Sequence, residues 1–162
     1  MSDATFSRDE MTQLAAAVMV TGMAVSMVDV GIVSSAIEAT AMGQEIAAAS
    51  ERYPNNAIIQ ALFSQEAVKQ AREEGSLNVQ LTPDEVKPET VVDTAIARIQ
   101  AALAVLSSKA SPEDIQQYKE FIYSCAERVA KAAGSGLFGS GSTKVSDKEA
   151  IALERIKAVL AL

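Results

Sequence analysis

The residues able to do chemistry in this chain are few, and they gather at two turns between helical patterns. The first turn runs from Asp29 through Gly31 to Ser35-Ala36-Ile37-Glu38, and the second closes on Ser146-Asp147-Lys148-Glu149. Each pairs a serine with a glutamate three residues on, after a glycine-containing break that follows a helical pattern, so we read the two as an internal repeat. The spacing has an ordinary explanation as a capping box, in which the serine accepts from a first-turn amide and the glutamate reaches back to the cap. It also admits a chemical one. Asp29, Glu38, Asp147 and Glu149 supply the hard oxygen ligands that Ca²⁺ or Mg²⁺ takes. Neither turn is an EF-hand, because the alternating Asp/Asn ligands are absent. Paired carboxylates also suit acid–base catalysis, although nothing in the sequence identifies a pocket or substrate.

Other chemistries are narrowed by composition. The chain has 162 residues and no histidine, which removes Ser-His and Cys-His catalysis and histidine metal sites. A formal charge of -7 would repel phosphate backbones, and no basic patch opposes it, so nucleic-acid binding is not expected. Cys125 is the only cysteine; it excludes an intramolecular disulfide and favours a reducing cytoplasm. It sits on the stripe Ile115, Tyr118, Ile122, Cys125, Val129, where an inert buried thiol is expected. Gly134-Ser135-Gly136-Leu137-Phe138-Gly139 has dinucleotide-fingerprint spacing, but a helix precedes it where that motif needs a strand. Gly136 to Gly141 has Walker-like spacing with Ser142-Thr143-Lys144 in the wrong order. A loop between helices is the reading for both.

The elements that would position the acids follow from periodicity. With 49% hydrophobic and 4% aromatic residues and no tryptophan, a core of Ala, Val, Ile, Leu and Met favours an all-α fold. Ser7 and Glu10 predict a capping box, and Phe6 with Met11 a hydrophobic staple, opening a helix that is apolar on every side from Ala15 to Val20. Its uncharged run, Leu14 to Val28, stops at Asp29, short of the ~20 apolar residues of a membrane span. A buried central helix is expected instead. The acidic start of the chain, with Asp3, Asp9 and Glu10, is unlike a secretory signal.

Ser35 opens a second helix, expected to reach about Ser50, and Tyr53-Pro54-Asn55-Asn56 reads as a turn. A third helix carries Ile58, Ile59, Leu62 and Phe63 and turns polar through Lys69, Arg72, Glu73 and Glu74, its end in solvent. Gly75 to Pro88 reads as a loop despite the alternation in Ser76-Leu77-Asn78-Val79-Gln80-Leu81. Thr82, Pro83 and Glu85 make a helix-start signal that Pro88 limits to a short turn. From Glu89 the stripe Val92, Ile96, Ile99, Leu103, Leu106 predicts a fourth helix. Ser111-Pro112-Glu113-Asp114 caps a fifth, running towards Ala133. Ser146 starts a last one with Leu153, Ile156 and Leu160 inward and Lys157 suited to its dipole. The expected architecture is one domain, residues 1–162, built as a bundle of about six helices.

Val25-Ser26-Met27-Val28-Asp29-Val30-Gly31-Ile32 followed by Ser35-Ala36-Ile37-Glu38 resembles the helix-Asp-Gly-turn-helix unit of the TerB-like tellurite-resistance proteins. Val129-Ala130-Lys131-Ala132 with Lys144-Val145-Ser146-Asp147-Lys148-Glu149 resembles a second copy interrupted by a loop, with Ala133 where the first has Asp29. The resemblance implies an all-α domain with a pseudo-repeated helix-turn-helix unit. It also implies a metal site at the turns, carried onto Asp29, Glu38 and Glu149; Asp147 is added for its proximity. The expectation is a non-enzymatic cytoplasmic domain of stress or tellurite response. It would act as an interaction module that meets a protein partner and takes a divalent cation, without membrane insertion and with a homo-oligomer left open. The alternatives are a metal-free interaction domain and a carboxylate enzyme.

Overall fold

The computed structural model describes residues 5–28, 35–75, 79–135 and 145–162, with the backbone alone for 35–39 and 133–135. Among the described residues it is all helix, with no strand. The elements are α1 (Arg8–Met27), α2 (Ser35–Arg52), α3 (Ala57–Phe63), α4 (Gln65–Glu73), α5 (Val91–Ser107), α6 (Pro112–Ser135) and α7 (Asp147–Leu160).

α1 forms where expected. Ser7 Oγ accepts from the Glu10 amide at 3.2 Å, and the Ser7 amide donates to Glu10 Oε2 at 2.7 Å, which closes the capping box. Phe6 and Met11 both pack against the main core. Its apolar residues then find helices on several sides, for α1 packs against α5, α6 and α7. Of the described residues, α1 alone is long and apolar enough to cross a membrane, and half of that stretch is buried inside the protein. Leu14, Ala17, Val18 and Val25 are fully buried. Gly22 makes room for a side chain of α2: a Cβ there would lie 2.4 Å from Met42 Sδ, so the methionine occupies the space that glycine leaves.

α6 forms the other axis of the bundle. Its expected stripe is buried at Tyr118, Ile122, Cys125 and Val129, and half-buried at Ile115. Ser111 caps it, accepting from the Asp114 amide at 3.1 Å. Tyr118 donates its hydroxyl to the Leu14 carbonyl at 2.7 Å, tying α6 to α1 through the one polar atom of the largest buried side chain. Phe121 is tilted against Phe63 with centroids 5.2 Å apart and meets Tyr53 edge-on at 6.3 Å, so α3 and the end of α2 are fastened to α6 by rings. A smaller core joins Val20 and Ala24 of α1 and its C-cap Val28 to Val91, Val92 and Ala95 of α5 and Ala152 of α7.

Two features differ from the sequence reading. The third helix is broken: Ser64 is extended (φ -61°, ψ 158°) and its side chain accepts from the Ala67 amide at 3.3 Å, which starts α4 on a new axis. The continuous run of helix-forming residues conceals that cap. Asn56, read as part of a turn, is fully buried. Its Oδ1 caps α3 by accepting from the Ile58 and Ile59 amides, and its Nδ2 donates to the Asp114 carbonyl and Gln117 Oε1 of α6, both at 3.0 Å. The Thr82–Glu85 signal makes a turn without a helix, with the Thr82 amide donating to Glu85 Oε2 at 2.8 Å. Residues 1–4, 29–34, 76–78 and 136–144 lie outside the described residues, and with them Asp29 to Ser34 of the first acidic turn and Gly136 to Gly141 of the glycine-rich stretch, whose Gly134 and Ser135 are still helical as the end of α6.

Candidate functional site

α7 positions the second pair of acids. Ser146 Oγ accepts from the Glu149 amide at 3.2 Å, and the Ser146 amide donates to Glu149 Oε2 at 2.8 Å, a complete capping box. Glu149 is buried there, 3% exposed, whereas Asp147 is exposed in the same turn. The two acids therefore share a helix start but face different surroundings. Asp29 lies outside the described residues, and for Glu38 only the helical backbone of α2 is described. Carboxylate oxygens are suitable donors for a hard cation. Among the described residues, however, no three acidic or cysteine side chains converge as a metal site would need.

A second buried acid was not singled out by its sequence context. Glu45 on α2 is 5% exposed and faces α6, where Ser124 donates its hydroxyl to Oε1 and Arg52 forms an ion pair with the same oxygen. Arg52 Nη1 also donates to Ser124 Oγ at 3.1 Å, so the three side chains close a triangle. Burial acts to raise the Glu45 carboxyl pKa. The hydrogen bonds from Arg52 and Ser124 outweigh it and hold the carboxyl below its ordinary value. A serine donating to a glutamate has the connectivity of a nucleophile and base, but the guanidinium takes up the basicity that such a base would need. The triangle ties α2 to α6. The only sequence signal for it is an i, i+7 Glu45/Arg52 spacing on an alanine-rich helix.

Next to the triangle, Cys125 is fully buried. Burial is the main cause, with the Glu45 charge second, of a thiol pKa pushed far up, so the sulfur stays protonated and unreactive. Every buried side-chain nitrogen and oxygen among the described residues has a hydrogen-bond partner.

Among the clefts that the described residues form, two bear on the site. One, of about 250 Å³, lies between α1, α3 and α4, with Phe6, Met11 and Leu62 in its wall and Arg8 and Glu74 at its edge. The other, of about 300 Å³, lies where the end of α1 meets the start of α5 and α7, lined by Val28, Val92, Lys148, Ile151 and Arg155. Ile151 is 58% exposed, and Arg155 Nη2 pairs with Asp93 at 2.5 Å beside it. Each of these clefts has one carboxylate in its lining, Glu74 in the first and Glu89 in the second. Neither brings together the pair that acid–base chemistry would use. Comparison of the chain with protein-family models, with curated proteins and with solved structures finds no match.

Proposed function

We propose that this chain is a non-enzymatic helical interaction module of the TerB-like kind, working in the cytoplasm in a stress or tellurite response. Its TerB-like character rests on the residues quoted for that resemblance. The observation that carries the interaction reading is the use made of the buried acids. Glu149 is engaged with the Ser146 cap and Glu45 with Arg52 and Ser124, so both serve to join or start helices. A protein partner would then meet the outer surface, where exposed Ile151 stands among charged residues.

The metal clause belongs to the same proposal: Asp29, Glu38, Asp147 and Glu149 would hold Ca²⁺ or Mg²⁺ through carboxylate oxygens. A second reading, an interaction domain without metal, is favoured by the engagement of Glu149 Oε2 with the Ser146 amide. Calorimetric titration with Ca²⁺, Mg²⁺ and Mn²⁺ separates the two. The metal clause expects binding in the wild type that Asp29→Ala and Glu38→Ala each weaken at least tenfold, about 1.4 kcal/mol. No heat, or heat unchanged by either substitution, overturns it. Under the metal-free reading Glu38→Ala lowers thermal stability equally with and without the cation.

A further inference from the structure

α4 is attached to the rest of the protein unlike any other helix. It has no buried residue, whereas each of the other six has at least one. It packs chiefly against α3, the helix it follows in sequence. Its two ends are joints: Ser64 is extended between the two helices, and Gly75 follows Glu74 with φ +65°, the left-handed region that glycine enters without cost.

Among the described residues, an ion pair joins the far end of α4 to the start of α1. Arg8 Nη2 at the start of α1 meets Glu74 Oε2 at 2.7 Å, and Gln70 Nε2 steadies the other oxygen at 2.8 Å. Beneath lies the cleft of about 250 Å³, with Phe6, Met11, Ala15 and Leu62 on the bundle side and Ala67 and Ala71 on the α4 side. Small side chains facing a cleft of that size leave α4 little apolar area to bury. The charged pair is also weak, its side chains being 74% and 40% exposed. A short helix with a joint at each end, a weak charged tie to α1 and an apolar wall behind it is placed to open locally, at a free energy below that of global unfolding.

We propose that α4 is a lid, hinged at Ser64 and latched by Arg8 and Glu74, whose opening uncovers the apolar wall of the cleft between α1 and α3. This goes beyond the functional reading above and depends on neither the resemblance nor a metal. The test is native-state hydrogen exchange followed by mass spectrometry on the full chain, for wild type, Glu74→Gln and Ala71→Leu. In wild type the α4 amides should exchange at least a hundredfold faster than those of α6. Glu74→Gln removes the latch charge and should speed α4 about twofold to fivefold, the range of an exposed pair, with α6 unchanged. Salt at 1 M should do the same to wild type. Ala71→Leu fills the cleft from the lid side and should slow α4. Anilinonaphthalene sulfonate, a dye that reports exposed apolar surface, should brighten on Glu74→Gln. The proposal is overturned if α4 and α6 exchange together in wild type, if Glu74→Gln leaves α4 unchanged, or if α4 speeds up without any rise in dye fluorescence.

Discussion

Glu149 and Glu45 are both glutamates withdrawn from water, 3% and 5% exposed, but they are accommodated in opposite ways. Glu149 takes part in its own helix start: Ser146, three residues away, donates its amide to the carboxylate and accepts from the Glu149 amide in return. Glu45 is held by the tertiary fold. Ser124 comes from another helix, 79 residues along the chain, and Arg52 must fold back over two turns to reach it. Removing a local cap partner returns orphan amides to the first turn of a helix, where water can still serve them. Removing a partner of Glu45 strands a charge at a helix interface, where water serves it poorly. The same residue type at the same burial should therefore have very different sensitivities.

Arg52→Ala tests the difference where it is largest. Breaking a buried pair costs ~3–5 kcal/mol, and since the Arg52 side chain is 43% exposed we expect about 2–3 kcal/mol. Urea unfolding measures it. The double variant Glu45→Met/Arg52→Met should recover most of the loss, because the stranded charge is then gone. A cost for Arg52→Ala below that of the cap variants would erase the contrast.

Glu149→Ala and Ser146→Ala should each cost ~1 kcal/mol, the usual value of a helix cap. The two costs should overlap in the double variant, because each substitution already opens the same box. Full additivity would mean that the two hydrogen bonds act independently.

The contrast between these acids is also one of legibility. The boxes at Ser7 and Ser146 could be read from the sequence because the serine and glutamate that cap each other lie three residues apart. The stripes of α5, α6 and α7 were readable for a related reason: a period of 3.6 residues is a local property. Lys157 lies in the last turn of α7 as the helix dipole favours. The break at Ser64 was concealed because Gln65 to Glu73 are good helix formers that continue the preceding pattern, and a serine cap inside such a run looks like a surface residue. Asn56 was seen as punctuation; its reach to Asp114 and Gln117 is a fact of packing, set by where α3 meets α6. The Glu45 triangle left only the Glu45/Arg52 spacing, because its third member, Ser124, is 79 residues away. Of the candidate metal ligands, the sequence rightly placed Asp147 and Glu149 at a helix start, but their opposite exposures depend on how α7 packs against its neighbours.

The smallest signal is in pH. Because the folded Glu45 carboxyl is held below its ordinary value, its contribution to stability is present above the unfolded pKa, about 4.3. It is lost as pH falls through the lower folded value. Glu10, whose carboxyl is lowered chiefly by the hydrogen bond from Lys109, and Glu85, lowered chiefly by the Thr82 amide, titrate in the same window. The wild-type curve alone therefore cannot isolate Glu45, but its difference from Glu45→Gln does. At pH 7 the variant should unfold at lower urea than wild type, since a neutral amide in place of the carboxylate loses the charge-assisted bonds to Arg52 and Ser124. Between pH 5 and 3 the gap should close, as wild-type Glu45 itself becomes neutral. A gap that stays constant across that interval would mean that the carboxyl is not held ionised by Arg52, and that Glu45 owes its place to hydrogen bonds that a neutral side chain makes equally well.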